Sequence, residues 1–219
     1  LIGYDNGNLD FLQNERITNL PAILQSNISG IKTINKIECK GNNAYLATGF
    51  GIVVINLQKR EVRDTYNPTT SEEGIVDITF LNDSIYALTR SGLYVGAENN
   101  NFLADPSQWS QISSVIDYTA SGEYSDIKVY QNSLFLNYRD DVFNSETIFK
   151  SVGNQWEVFR DEVQLQGLSV SGNKLLVPTQ QGLVVYGPDL TEEQLIFQYN
   201  NGELPNPNNA VYNGVNYYI

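Results

Sequence analysis

Three stretches of this chain carry one pattern at one internal spacing, and that repeat narrows the folds open to it. They run from Ile37 to Ile55, from Ile78 to Val95 and from Leu168 to Val185. Each opens with a short apolar run, turns on Asn, Asp or Gly, enters a second run ending in Thr, and starts a third at a glycine. Fourteen residues separate Ile37 from Gly51, Ile78 from Gly92 and Leu168 from Gly182. Gly51 and Gly92 stand 41 residues apart (92 − 51), and a strand-built repeat of that period predicts the blades of a β-propeller.

Two weaker copies extend the series. Ile127 to Asp141 keeps the spacing, with Tyr138 in place of Thr and Asp141 in place of the glycine. Leu1 to Leu12 matches the later part of a unit, with Tyr4 on the Thr position and Gly7 on the glycine, and a further unit opens around Ala210, Tyr212 and Tyr217. The expected fold is all-β: a propeller of four-stranded antiparallel blades, about five blades' worth of chain, starting and ending in mid-blade. Residues 1–219 are expected to form a single propeller segment cut from a larger multidomain protein.

Within a unit the alternation identifies the strands. Ile37 and Cys39 alternate with Glu38 and Lys40, Gly41-Asn42-Asn43 supplies a turn, and Ala44 to Thr48 returns antiparallel. Ile52-Val53-Val54-Ile55 is apolar without interruption, which suits a strand covered on both faces. Glu61 to Tyr66 is the more polar outer strand. Two interruptions, Pro21 to Asn35 and Gly96 to Gln108, are longer than a blade needs, and long loops on a rigid scaffold are favoured binding sites.

Composition excludes several functions. Thirteen Lys and Arg against twenty-five Asp and Glu leave a formal net charge of −12 without any basic run, so nucleic acid is not expected as a partner. The absence of histidine removes the commonest general base, the usual zinc ligand and any Ser-His or Cys-His pair. No run approaches eighteen apolar residues, so no transmembrane segment is expected in this chain. The lone Cys39 reads as a small buried apolar side chain.

The remaining chemical motifs are weak. Asp5-Asn6-Gly7-Asn8-Leu9-Asp10 offers oxygen ligands at close spacing, but Asn6-Gly7 also makes a hairpin turn, which is the preferred reading. Asp140, Asp141, Asn144 and Glu146 read as a solvated turn. The Ser-x-x-Lys pattern of certain acyl-transfer enzymes occurs at Ser29–Lys32, Ser125–Lys128 and Ser171–Lys174, too often to carry meaning. Glu72-Glu73 and Glu192-Glu193 are carboxylate pairs of the type glycoside hydrolysis needs, yet adjacent acids in polar turns read more simply as surface charges. Of the fourteen tyrosines, Tyr45, Tyr86 and Tyr94 lie on repeat strands and are expected in the core. No catalytic, cofactor-binding or metal-binding residue is assigned, no cofactor is expected, and the ligand-binding residues are unknown.

The run Tyr45-Leu46-Ala47-Thr48-Gly49-Phe50-Gly51-Ile52-Val53-Val54-Ile55-Asn56-Leu57, with Tyr4 to Asp10 before it, resembles the N-terminal propeller of the PorZ family, surface components of the type IX secretion system of Bacteroidetes. Ser91-Gly92-Leu93-Tyr94 and Leu103 to Trp109 resemble the corresponding later blade. The resemblance covers Leu1 to about Ile112; beyond it only the general pattern remains, shared with propellers of two-component regulators. It implies a non-enzymatic binding and scaffolding role, exported to the outer membrane, cell surface or periplasm, with protein partners in a secretion and attachment complex and with lipopolysaccharide or glycan as a further ligand of the full protein. An extracellular glycan-sensing propeller of a two-component regulator is the alternative. A propeller hydrolase or lyase is a third reading, which lacks histidine and the Ser-x-Asp-x-Gly-x-x-Trp boxes of sialidase-type propellers.

Overall fold

The computed structural model describes residues 1–28, 30–70, 73–112, 122–140, 145–163, 165, 167–179, 182–196, 211–212, 214 and 217–218. They form antiparallel sheets throughout, with one short 3-10 turn at Pro106–Gln108. The chain divides into two compact units, Leu1–Ser113 and Ser114–Ile219.

The first unit holds three sheets. The first contains β1 (Ile2–Gly3), β2 (Leu9–Gln13) and β3 (Arg16–Leu20). The second contains β4 (Ile34–Lys40), β5 (Asn43–Thr48), β6 (Gly51–Asn56) and β7 (Glu61–Tyr66), and the third contains β8 (Asp77–Leu81), β9 (Ser84–Leu88), β10 (Leu93–Ala97) and β11 (Ser110–Gln111). In the second unit, β12 (Gly122–Tyr130), β13 (Ser133–Asp140), β14 (Ser145–Val152) and β15 (Gln155–Val163) make the fourth sheet. The fifth comprises β16 (Ser169–Ser171), β17 (Lys174–Thr179), β18 (Gly182–Tyr186) and β19 (Glu192–Ile196), followed by the pair β20 (Val211–Tyr212) and β21 (Tyr217–Tyr218). Each four-stranded sheet is a simple meander whose neighbours in sequence are neighbours in space.

This order follows from the repeat. The third strand is the most apolar, and Gly51 to Ile55 in β6 and Gly182 to Tyr186 in β18 are buried from end to end. Such a strand needs cover on both faces, and the neighbouring sheets give it. Ala44, Leu46, Val53 and Ile55 of the second sheet pack on Leu9 and Phe11 of the first. The alternate residues Tyr45, Ala47, Ile52 and Val54 face Ile78, Ile85 and Ala87 of the third. In the second unit, Phe135 and Ile148 pack against Leu175, Val177, Val184 and Tyr186. Each buried Val, Leu, Ile or Phe contributes roughly 1.5–3 kcal/mol of transfer free energy.

The repeat Thr and Gly form one hydrogen-bonding device. Thr48 Oγ1 donates to the Gly51 carbonyl at 2.8 Å, Thr89 Oγ1 to that of Gly92 at 3.1 Å, and Thr179 Oγ1 to that of Gly182 at 3.0 Å. All three threonines and the glycines that follow them are buried, so each hydroxyl satisfies a carbonyl that is itself out of water. Glycine is required at the strand start because Gly51 has φ of 143° and a Cβ there would sit 2.7 Å from the Tyr66 carbonyl oxygen.

Three expectations are corrected. Cys39 is exposed, because β4 is an edge strand of its sheet and its burial fades toward Lys40. Gly7 does not hold the place of Gly51: Gly3 pairs with Leu9 as Ala47 pairs with Ile52, and Tyr4 N donates to Asn8 O, so the first hairpin turn is one residue longer and Asn8, just ahead of β2, stands in that place. The two long interruptions are each shorter than expected: Asn35 belongs to β4, as the extra residue of a bulge between Ile34 and Lys36, and Gly96 belongs to β10.

Thr89→Val tests the turn device. It removes the acceptor for the Gly92 N–H, at 3.0 Å, inside a buried hairpin, and is expected to lower unfolding free energy by about 1–3 kcal/mol, read from the urea midpoint.

Candidate functional site

In a four-stranded meander the turn between second and third strands, and the links entering and leaving the sheet, share one end. The other two turns lie at the opposite end. The two long connections therefore belong to different ends of their sheets.

The connection of residues 21–33 runs between β3 and β4, at the end that carries the repeat glycine. It is built as a closed loop. Ile23 is buried under it, Ser26 Oγ donates to the Ile23 carbonyl at 2.7 Å, and the Lys32 ammonium donates to the carbonyls of Leu24 and Ser26 at 2.9 and 2.6 Å. Gly49 N donates to Thr33 O, and a Cβ on Gly49 would collide with the Ile31 carbonyl, so the loop seats directly on the β5–β6 turn. Its outer surface shows Leu24, Ile28 and Ile31, the last 70% exposed.

The connection of residues 98–109 in the third sheet is half core. Leu103 and Trp109 are buried with Tyr45, Tyr66 and Ile75, and Trp109 Nε1 donates to Leu103 O at 2.9 Å. Asn67 Nδ2 donates to Ala104 O at 3.0 Å, and Asp105 caps the short 3-10 turn through Ser107 N at 2.9 Å. Only the tip projects. Phe102, 70% exposed, stands on a turn in which Asn100 Oδ1 accepts from Phe102 N at 2.9 Å.

A third feature lies at the glycine end of the fourth sheet, where β13 and β14 extend past the repeat turn as far as the pair Asp140–Ser145. Asn137 Nδ2 donates to Ser125 Oγ at 2.9 Å and to Glu146 Oε2 at 2.8 Å. Burial pushes the Glu146 carboxyl above its ordinary value, against the lowering influence of the Asn137 hydrogen bond and the Arg139 charge, while Asp126 pushes in the same direction as burial. On this sheet Tyr124 and Tyr138 meet edge to face at 5.2 Å, and burial followed by the Tyr138 charge pushes Tyr124 up to about 12.

The sequence motifs meet different fates. In Asp5 to Asp10, Asn6 Oδ1 accepts from Asn8 N at 3.0 Å as a turn residue does, and the Asp10 carboxylate is held by Asn19 Nδ2 and the Tyr4 hydroxyl, both at 2.8 Å, which lower its pKa in that order. Of the acidic turn, Asp140 is buried and Glu146 is bonded to Asn137, while Asp141 and Asn144 lie outside the described residues. The three Ser-x-x-Lys matches share no geometry: Ser29 lies outside the described residues, Ser125 and Lys128 are separated by roughly 10 Å of strand, and Ser171 and Lys174 pair across a hairpin, where Lys174 forms an ion pair with Glu193. Glu73 accepts from Ser91 N at 2.8 Å and Ser91 Oγ at 2.5 Å, Glu192 lies 3.4 Å from Arg160, and Glu72 is outside the described residues. Tyr45 is core; Tyr86 and Tyr94 are half-buried, Tyr94 against the same cluster. Among the described residues no group of three or more His, Cys, Asp or Glu is placed to hold a metal ion.

A family model described as the PorZ N-terminal beta-propeller domain of the type IX secretion system matches residues 1–110. The chain belongs to the PorZ N-terminal β-propeller family. Among solved structures, PorZ of Porphyromonas gingivalis, described as an essential bacterial surface component of that system, superposes with a TM-score of 0.70 at 24% identity over 86% of this chain. The extracellular domain of BT4673 from B. thetaiotaomicron, described as a putative one-component system and as a putative hybrid two-component system, gives TM-scores of 0.62 and 0.60 at 19% identity over 93% of this chain. The chain spans about a quarter of each, 24% of PorZ and 27% of BT4673. No curated protein matches it significantly.

The chain keeps the repeat in its strands and departs from it in loops and at one end of the fourth sheet. The Asn137–Glu146 cluster was not singled out from the sequence, although a signal existed: Asn137 stands where the other repeats have Ala47, Leu88 and Pro178.

The long third-sheet connection divides its work between anchor and tip. Trp109→Ala is expected to lower unfolding free energy by about 3–5 kcal/mol, whereas Phe102→Ala stays within about 0.5 kcal/mol. Chemical denaturation of the two variants checks this.

Proposed function

We propose that this chain is a non-enzymatic binding and scaffolding module exported to the bacterial cell surface, contributing to type IX secretion and to the attachment of secreted proteins. Membership of the PorZ N-terminal propeller family over residues 1–110 carries the reading. The chain is taken as one propeller segment of a larger multidomain protein, in agreement with its covering about a quarter of each solved relative. Its sheets act as blades, and rigid blades hold loops in fixed relation to a partner.

The site chemistry favours binding over turnover. With no histidine in the sequence, general acid–base work falls to carboxylates, and Asp10, Glu73, Glu146, Glu192 and Glu193 are each engaged by a neighbouring side chain or turn backbone. The loops instead present Ile31 and Phe102 on frames fixed by backbone hydrogen bonds, which suits protein surfaces and glycans. Lipopolysaccharide or another glycan is the non-protein ligand class of this reading. No helix among the described residues is long and apolar enough to cross a membrane.

A second reading, the glycan-sensing extracellular part of a two-component regulator, draws on the BT4673 likeness. Affinity capture with the full-length protein separates the two. Co-purification of secretion-complex proteins from the cell envelope, reduced by Phe102→Ala or Ile31→Asp without loss of fold, is the expected result. Clean failure of capture, together with a transmembrane helix and kinase region encoded downstream, transfers the assignment to the sensor.

A further inference from the structure

The fourth sheet breaks the repeat at one buried position. Directly before the repeat Thr, the second, third and fifth sheets carry Ala47, Leu88 and Pro178, all buried. The fourth carries Asn137, only 1% exposed, opposite Ile148 across β13 and β14. Its Nδ2 is committed twice, to Ser125 Oγ and Glu146 Oε2. Asn137 Oδ1 is then a buried acceptor that no donor among the described residues satisfies. The titratable group already bonded to this amide is Glu146.

We propose that the carboxyl of Glu146 and the carboxamide of Asn137 form a neutral acid–amide pair, in which the carboxylic O–H donates to Asn137 Oδ1 while Asn137 Nδ2 donates to Glu146 Oε2. The pair is complementary in both directions. It ties β13 to β14, and through Ser125, the extra residue of the bulge between Tyr124 and Asp126, it reaches β12 as well.

The charged neighbours divide. Arg139 stands opposite Glu146 on β13 and favours the carboxylate; Asp126 on β12 opposes it. Glu162 is opposite in register on β15, and Asp140 follows Arg139 along β13. Burial is the largest influence, and it favours the proton. A carboxyl raised above the ordinary 4.5 stabilises the fold while protonated, and that contribution is withdrawn as pH climbs through its folded value. Above that window an anion faces an unsatisfied acceptor and the end of the β13–β14 hairpin loosens, giving this sheet edge a pH response the apolar repeats lack.

The test uses the whole chain. The assigned 13Cδ shift of Glu146 and the side-chain amide signals of Asn137 are followed through a pH titration, alongside urea midpoints of the parent and Glu146→Gln. The expected result is a Glu146 midpoint above 4.5, Asn137 amide shifts moving with it, and a parent urea midpoint that falls across that window while Glu146→Gln stays level. Titration of Glu146 at or below 4.5, or Asn137 signals blind to it, overturns the pair. Should Glu146→Gln fail to fold, the two spectroscopic readouts on the parent decide alone.

Discussion

Stacking of one sheet upon the next is the interaction on which the rest of this structure depends. The third strand of a repeat has no polar face: Ile52 and Val54 look one way, Val53 and Ile55 the other, and all are buried. A lone four-stranded meander would leave half of them in water. The second sheet is therefore stable only between the first and the third, and the fourth and fifth sheets bury each other's apolar residues in the same manner. Aromatic contacts strengthen the seams, with Tyr45 against Phe80 at 4.8 Å and Phe159 against Tyr186 at 4.9 Å, both edge to face. At the rim the seams are tied by charge. Arg60 donates to Thr18 Oγ1 and Gln13 Oε1 at 2.9 and 2.6 Å, and Lys40 bonds Glu98 while lying over the Phe80 ring.

Stacking fixes where polar backbone can go. Where β5 turns into β6, the flanking Thr48 and Gly51 are buried, so the turn satisfies itself through the Thr48 hydroxyl and the Gly51 carbonyl. The same three-residue offset in the third and fifth sheets is a hydrogen-bond geometry written as a sequence spacing. Outer strands have more latitude, and there the sheets bulge: the register slips between Val54 and Ile55 and between Val185 and Tyr186, at the same distance from the repeat glycine. Bulges at one place in the second and fifth sheets raise the local twist of each alike.

These considerations explain what the sequence disclosed. Positions fixed by stacking or by the buried turn were legible: the strands around Gly51, Gly92 and Gly182, the outer strand Glu61–Tyr66, and Tyr45 in the core. Positions where one local rule overrides the repeat were not. Gly7 looked like the strand-starting glycine because Asn6-Gly7 is also turn chemistry, and only the pairing of Gly3 with Leu9 reveals the extra residue. Phe80, Val129 and Val170, which stand at the place of Cys39 in the other repeats, are only half-buried, so this position is a margin rather than a core. Loop length suggested binding for residues 96–108, but Leu103 and Trp109 show that length also arises when a loop must supply core.

The division between anchored and projecting residues bears on why such a scaffold suits recognition. A residue held only by a loop's own backbone can change identity without disturbing the stack, as Phe102 and Ile31 can; a residue such as Leu103 or Ile23 cannot, because its removal opens a cavity between sheets. Catalysis would need two or three groups held within fractions of an ångström, usually from several elements whose charges are mutually unbalanced. Three cation–carboxylate contacts here are instead arranged to cancel: Lys174 with Glu193, Arg160 with Glu192, Lys150 with Glu157. Pairing of this kind leaves the acidic surplus of the chain spread over its surface, and apolar side chains at the loop tips as the places where a partner gains most by contact.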